Sequence, residues 1–198
     1  MILYFDTETT GLRPGHIIQL AYILDYGDKI SAKNFYFEVS YIEPSASFVH
    51  GITVEKLKEL SKGRRFCDDI DEIENDFSSA KLIVAHNFSF DFGFMSQEFQ
   101  NNFKTFRYNE SLDTMRYFTP IMKLPRPNGK GIKYPKLEEF CAVNDVYPFE
   151  VDKFVKDYFS LYDKKSHDAA YDTVSMYLAV QNSREKYPDF NEFITKHL

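Results

Sequence analysis

The sequence predicts an α/β protein in which helices pack on the faces of a mixed β-sheet, and three observations carry that prediction. Short runs rich in β-branched and aromatic residues, separated by turn residues, fill the first 40 positions. Beyond position 50, apolar residues recur at spacings of three and four, the period of an amphipathic helix. Between the two, the apolar run at 81–85 is followed at once by helical periodicity, the strand-loop-helix order of layered α/β architectures.

Taken in order, 2–5, 17–24 and 34–39 read as three strands of a meander, parted by Arg13-Pro14-Gly15 and Tyr26-Gly27-Asp28. Thr53 can N-cap a helix running to about Leu60, and Ile70, Ile73 and Phe77 mark a second. The fourth strand, 81–85, leads through His86-Asn87 into a helix holding Phe92, Met95 and Phe99. Another strand is expected near 104–107, followed by Asp113 and a helix over about 114–122. Pro120, Pro125, Pro127, Pro135 and two glycines read as a loop over 119–135. Leu137, Phe140, Cys141 and Val143 restore the helical period, and the last long helix covers about 168–186. No repeat, low-complexity tract or linker divides the chain, so 1–198 reads as a single domain.

Composition narrows the function classes. With 43% apolar and 27% charged residues the chain resembles ordinary globular proteins, and neither disorder nor a membrane span is expected. The opening apolar run ends at Asp6, too early for a signal-peptide core, so a cytoplasmic location without a membrane partner is expected. The two cysteines, Cys67 and Cys141, are each expected on an apolar helical face, which argues against a disulfide framework or a Cys-based zinc site. A net charge of −6, from 24 Lys plus Arg against 30 Asp plus Glu, argues against a basic face coating nucleic acid. It does not exclude a nuclease that grips one chain end and neutralises its own acids with cations.

Three acid-bearing segments stand out. Asp6 and Glu8 end the first strand two residues apart and so point to the same side of it. Two carboxylates that close repel unless a cation lies between them, and oxygen-ligated Mg²⁺ or Mn²⁺ suits that place. Taken alone, the pair equally fits a solvated turn or a D-x-D-like glycosyltransferase metal site. Asp91 stands in the first turn of the helix after His86-Asn87, where a helix dipole would also favour an acid. Asp172 lies in the last helix among Ala169, Ala170 and Thr173, small residues that let a backbone or ligand approach, with His167 at the helix entrance. Ends of elements are where α/β folds gather their sites, and a histidine there can exchange protons near neutrality.

On these residues the chain resembles the DnaQ-like, or DEDDh, exonuclease superfamily, which includes the proofreading epsilon subunit of bacterial DNA polymerase III. FDTETTGL supplies Asp6 and Glu8, VAHNFSFDFGFM supplies Asp91, and HDAAYDT supplies His167 and Asp172. HGIT at 50–53, Asp113-Thr114 and KLEEFC at 136–141 fall where the family has similar segments. Asp168 occupies the place where a tyrosine subgroup would have its tyrosine, so the histidine form is indicated. The stretch 148–166 is longer than is usual before the family's histidine.

The resemblance implies a ribonuclease H-like sheet and a 3′-to-5′ exonuclease releasing nucleoside 5′-monophosphates, with DNA expected ahead of RNA and a DNA polymerase as an expected partner. It implies two divalent ions, Mg²⁺ or Mn²⁺: Asp6 bridges them, Glu8 and Asp172 complete the inner ligands, and Asp91 acts largely through water. His167 becomes the general base, a role that needs the neutral imidazole. Thr9 and Gly11 would hold the terminal sugar through backbone amides, Leu12 would wedge against the last base, and Phe90 would stack on a base. Core packing is the alternative reading for Leu12 and Phe90. Lys123, Arg126, Lys130, Lys133 and Lys136 form the most basic stretch, read either as phosphate contacts or as a solvated loop. The competing function is a catalytically inactive nucleic-acid or protein-binding module of the same fold. An HD-type phosphohydrolase, hinted at by His167-Asp168, would need a mostly helical scaffold.

Overall fold

The structure, a computed structural model, describes residues 1–12, 14–162 and 166–198. Arg13 of the expected first turn and 163–165 of the long approach to His167 lie outside the described residues. The sheet has five strands: β1 (Ile2–Thr9), β2 (Ile17–Asp25), β3 (Ile30–Tyr36), β4 (Leu82–Ala85) and β5 (Glu110–Asp113), in the order β3-β2-β1-β4-β5. The first three form the antiparallel meander, whereas β4 and β5 run parallel to β1 and to each other. Helices α1 (Pro44–His50), α2 (Val54–Ser61) and α3 (Phe66–Ser79) lie between β3 and β4 in the chain, and α4 (Phe88–Asn101) between β4 and β5. Then come α5 (Thr114–Met122), α6 (Leu137–Val143), α7 (Pro148–Phe154) with a π-helical turn at Val155–Phe159, α8 (Ala169–Lys186) and α9 (Pro188–Thr195).

The two-residue period of β1 divides the interior. Leu3 and Phe5 join Tyr22, Phe77, Phe94 and Phe99 in a core on the α3 and α4 side of the sheet. Ile2 and Tyr4 face the other way, into a core with Ile23, Val84, Val174 and Val180 on the α8 side. Asp6 and Glu8 continue the even-numbered set and Thr7 the odd-numbered one, so the same alternation that fills two cores distributes the polar end of β1. Tight side-chain contacts bring α8 onto the sheet: Ala169 and Ala170 pack against Ala21, and the Thr173 hydroxyl donates to the Ala21 carbonyl at 3.2 Å. The small residues around Asp172 thus admit a neighbouring backbone, as the sequence implied.

Several elements differ from expectation. The strand expected near 104–107 is displaced to Glu110–Asp113, because Phe106 is drawn into an aromatic cluster with Phe77, Phe99 and Tyr108 instead of a ladder. The third strand lies at Ile30–Tyr36 and not 34–39, since the turn after Asp25 sets its register as Asp25 opposite Ile30. Pro120 stands inside the last turn of α5, so the loop expected from 119 begins after Met122. Helices α1, α7 and α9 had no counterpart in the periodicity, yet each opens with a proline, Pro44, Pro148 or Pro188, at a favoured first-turn position. Cys67 is exposed and not on an apolar face, because Phe66, Ile70, Ile73 and Phe77 define the buried stripe of α3; Cys141 is buried as expected. No helix among the described residues is long and apolar enough to cross a membrane.

Candidate active site

At the end of β1, Asp6 and Glu8 meet Asp172 of α8, each presenting a carboxylate oxygen such that all three lie within 4.8 Å of one another. The first turn of α8 reaches them because α8 packs directly on β1 and β2, with Ala21, the partner of Asp6 in the ladder, under its N-terminal end. Asp91 arrives from the opposite side of β1. Thr7 reaches its Oδ1 twice, through its backbone N–H at 3.1 Å and its hydroxyl at 2.7 Å, and Asp91 is 2% exposed. The four acids expected from sequence are therefore joined at one strand end, three in direct convergence and the fourth clamped behind them by Thr7.

Their electrostatics follow from crowding in a poorly hydrated place. Burial pushes Asp6 well above the usual carboxylate range, and Asp91, Asp172, Glu8 and Asp168 push it further. Glu8 is raised by burial, then by Asp172, Asp168 and Asp91. Burial carries Asp91 up to about 7 against the opposing Thr7 hydrogen bonds. Asp172 is likewise raised by burial to about 7, opposed by the hydrogen bond from the His167 backbone. Burial and mutual repulsion thus favour the protonated carboxyls, and a bound cation would favour the charged ones. The donors of the cluster are all hard carboxylate oxygens, which fits a divalent ion of the Mg²⁺ or Mn²⁺ kind and not a soft metal.

His167 is exposed at the rim, with φ 65° and its backbone N–H donating to Asp172 Oδ2 at 3.0 Å. Asp168, the next residue, N-caps α8 by accepting the Ala170 N–H at 3.1 Å. A second histidine approaches that rim. His50, at the end of α1, accepts the Ile52 N–H on Nδ1 at 3.1 Å, and burial lowers its pKa, with the Thr9 backbone opposing and His167 adding to the effect. Sequence reasoning saw HGIT only as a family segment and did not single out His50, Thr7 or Asp168 as site residues. The alternation of β1 was the available signal for Thr7, since it faces the α4 side where Asp91 sits.

The residues expected to position substrate lie close to the acids along the chain, Thr9 after Glu8 and Phe90 before Asp91. Thr9 donates its hydroxyl to the Gly11 carbonyl at 2.9 Å, and the Glu43 carboxyl fills the space where a side chain at Gly11 would begin. Leu12 is 74% exposed, which removes the core-packing reading for it. Phe90 is half-buried with its ring 5.1 Å from Phe94, so one part of it belongs to the core and another remains open. In the basic stretch, Lys133 pairs with Glu139 and Arg126 Nε donates to the Ile132 carbonyl, both local contacts. Lys136 instead lines a cleft of about 1150 Å³ that runs from His167 and Asp172 between α6, α7 and α8.

The Exonuclease family profile (RNase_T) matches residues 3–179. The DNA polymerase III subunit epsilon of Pasteurella multocida is 27% identical over 149 residues, 70% of this chain and 55% of that protein. A PolC-type DNA polymerase III of Mycoplasmopsis pulmonis is 33% identical over 115 residues, 56% of this chain and 8% of that protein. The chain thus spans little more than half, or far less, of the curated relatives' length. Escherichia coli Exonuclease I in complex with a 5cy-dT13 oligonucleotide superposes with a TM-score of 0.70 at 17% identity, over 99% of this chain and 43% of that one. That likeness bears out the ribonuclease H-like mixed sheet. The profile match covers most of the chain and every acid described above, and on that ground the chain belongs to the Exonuclease family.

Proposed function

We propose that the chain is a 3′-to-5′ exonuclease that hydrolyses DNA from its 3′ end, one nucleoside 5′-monophosphate at a time. The observation that carries the reading is the convergence of Asp6, Glu8 and Asp172 within 4.8 Å, beside a buried Asp91 and an exposed His167. Asp6, Glu8 and Asp172 would hold two divalent ions, Mg²⁺ or Mn²⁺, with Asp91 supporting the second through water. When bound, such ions supply an activated water and stabilise charge on the attacking and leaving oxygens of an in-line displacement.

The remaining work falls to the chain itself. His167 takes the proton of the attacking water on its imidazole, and its place outside the buried acids leaves it free to pass that proton to solvent. Leu12 presses on the terminal base from its exposed position, and the open part of Phe90 offers a stacking surface. The backbone amides around Thr9 and Gly11 would hold the terminal sugar, with the Glu43 carboxyl packed against Gly11 where a side chain would otherwise stand. The polymerase III relatives make a DNA polymerase the partner to look for. The intact set of acids and histidine speaks against an inactive binding module.

The reading is tested by Mg²⁺-dependent digestion of single-stranded DNA, duplex DNA and RNA, each labelled at one end. Mononucleotides released from the 3′ terminus, with slowing by a 3′-phosphate, are expected. Cleavage of a circular single strand, or no metal-dependent product from any substrate, would overturn it.

A further inference from the structure

We propose that Gln19 is a positioning residue for the His167 turn, fixing from the sheet where the imidazole stands relative to Asp6, Glu8 and Asp172. The proposal rests on the reading of His167 as the proton acceptor. Gln19 lies on β2 directly opposite Glu8 in the ladder and is fully buried. It shares the α8 side of the sheet with Ala21 and Ile23, which pack against α8 and the core beneath it. Its amide grips both residues that follow His167: Oε1 accepts the Ala169 N–H at 3.2 Å, and Nε2 donates to Asp168 Oδ1 at 3.1 Å. Asn34 Oδ1 at 2.9 Å and the Tyr36 hydroxyl at 3.1 Å, both on β3, also lie within reach of Nε2. The amide is therefore aimed by its own strand neighbours and is not free to rotate away.

The chemistry of an amide is what the place requires. One end must accept a backbone N–H while the other donates to a carboxylate, and glutamine does both without carrying charge. A glutamate could still accept from Ala169, but it would set a negative charge against Asp168 beside an already crowded cluster. A leucine would leave the Ala169 N–H buried without a partner.

The turn needs such a hold. His167 is a non-glycine residue at φ 65°, a conformation that persists only where its surroundings impose it. Among the described residues, two grips contribute to the constraint: Asp172 accepts the His167 N–H, and Gln19 ties Asp168 and Ala169 to β2. Asp172 would itself be engaged in cation binding, whereas the hold from β2 comes from a residue outside the cation ligands.

The test compares wild type, Gln19→Glu, Gln19→Leu and the exchange pair Gln19→Glu/Asp168→Asn, which swaps donor and acceptor and restores net charge. In single-turnover hydrolysis of single-stranded DNA at saturating Mg²⁺, Gln19→Glu should lose roughly 10²-fold in rate, the effect of a small misplacement. Its KM and Mn²⁺ affinity should change by less than about 3-fold, and the exchange pair should recover to within about 5-fold of wild type. In the metal-free protein, Gln19→Leu should speed amide hydrogen exchange at Ala169 and Ala170 while β1 amides stay protected. A Gln19→Glu rate equal to wild type, an exchange pair no faster than Gln19→Glu, or unchanged amide exchange in Gln19→Leu would each overturn the proposal. Absence of nuclease activity in the wild type would defeat the exonuclease reading instead, and the amide exchange would still decide whether Gln19 holds the turn.

Discussion

The two halves of the site, the acids on β1 and the histidine turn before α8, are held in opposite ways. Asp6 and Glu8 pair with β2 along a strand whose ladder to β4 ends just before them at Tyr4, and Thr7 between them clamps Asp91 with two hydrogen bonds. His167 is exposed, sits at positive φ, and is tied down by Asp172 and by Gln19 acting on its neighbours. On the proposed function, the difference follows from what each half would do. Buried like charges repel, so a frame that keeps them together has to be stiff. A proton acceptor must reach a water and then release its proton, which a rim position on a short turn allows.

The largest effect should come from the stiff half. Asp6→Ala or Asp172→Ala is expected to abolish Mg²⁺-dependent hydrolysis while leaving the metal-free protein at least as stable as wild type, because each removes a repelling acid. Nuclease assays paired with thermal melts check this; a variant with near wild-type turnover would break the division between the halves. On the turn, His167→Ala is expected to lower the rate by roughly 10² to 10⁴ with much smaller loss of metal affinity, as for a deleted proton acceptor. Loss of metal binding in proportion to rate would instead make it a ligand.

A third expectation sharpens the comparison through pH. Asp91 and Asp172 are raised to about 7 by burial, above the range of an unfolded carboxylate. Between about pH 4 and pH 7 the folded metal-free protein therefore binds more protons than the unfolded chain, and stability falls as pH rises through that window. Metal-free Tm should be higher at pH 5 than at pH 8 by more than about 5 °C, and Mg²⁺ should remove most of the difference. A flat Tm across that range would show that the acids are not crowded. The smallest effect is expected at the edge: Leu12→Ala should weaken substrate binding by roughly 3- to 10-fold, the scale of one lost stacking or wedging contact, with no change in Tm because the residue is exposed. Titrating the KM of a single-stranded oligonucleotide reads it.

Much of this was legible in the sequence, and unevenly so for physical reasons. Strand alternation placed Asp6 and Glu8 together, and helical periodicity found α3, α4 and α6, each of which buries apolar residues on one side; α8 is buried on more than one side, with Thr173, Ser175 and Ser183 inside beside Val174 and Met176, and shows no such stripe. The fifth strand escaped because Glu110–Asp113 is an edge strand with only Leu112 buried, leaving no apolar run to see. Helix α1 buries no residue at all, so periodicity was silent there, although Pro44 marked its start. Gln19 was invisible for another reason: a polar residue inside an apolar strand acquires meaning only when the partner it meets, the Asp168–Ala169 turn, is some 150 positions away.

The central claim, that rigid acids bind the cations while a separately held histidine moves the proton, is tested most directly by the pH dependence of single-turnover hydrolysis at saturating Mg²⁺. Wild type and His167→Ala would be compared on one single-stranded substrate. The account predicts a wild-type rate that rises with pH as the imidazole loses its proton, and a slower variant whose profile lacks that rise. Equal rates for the two proteins across the whole range would contradict it.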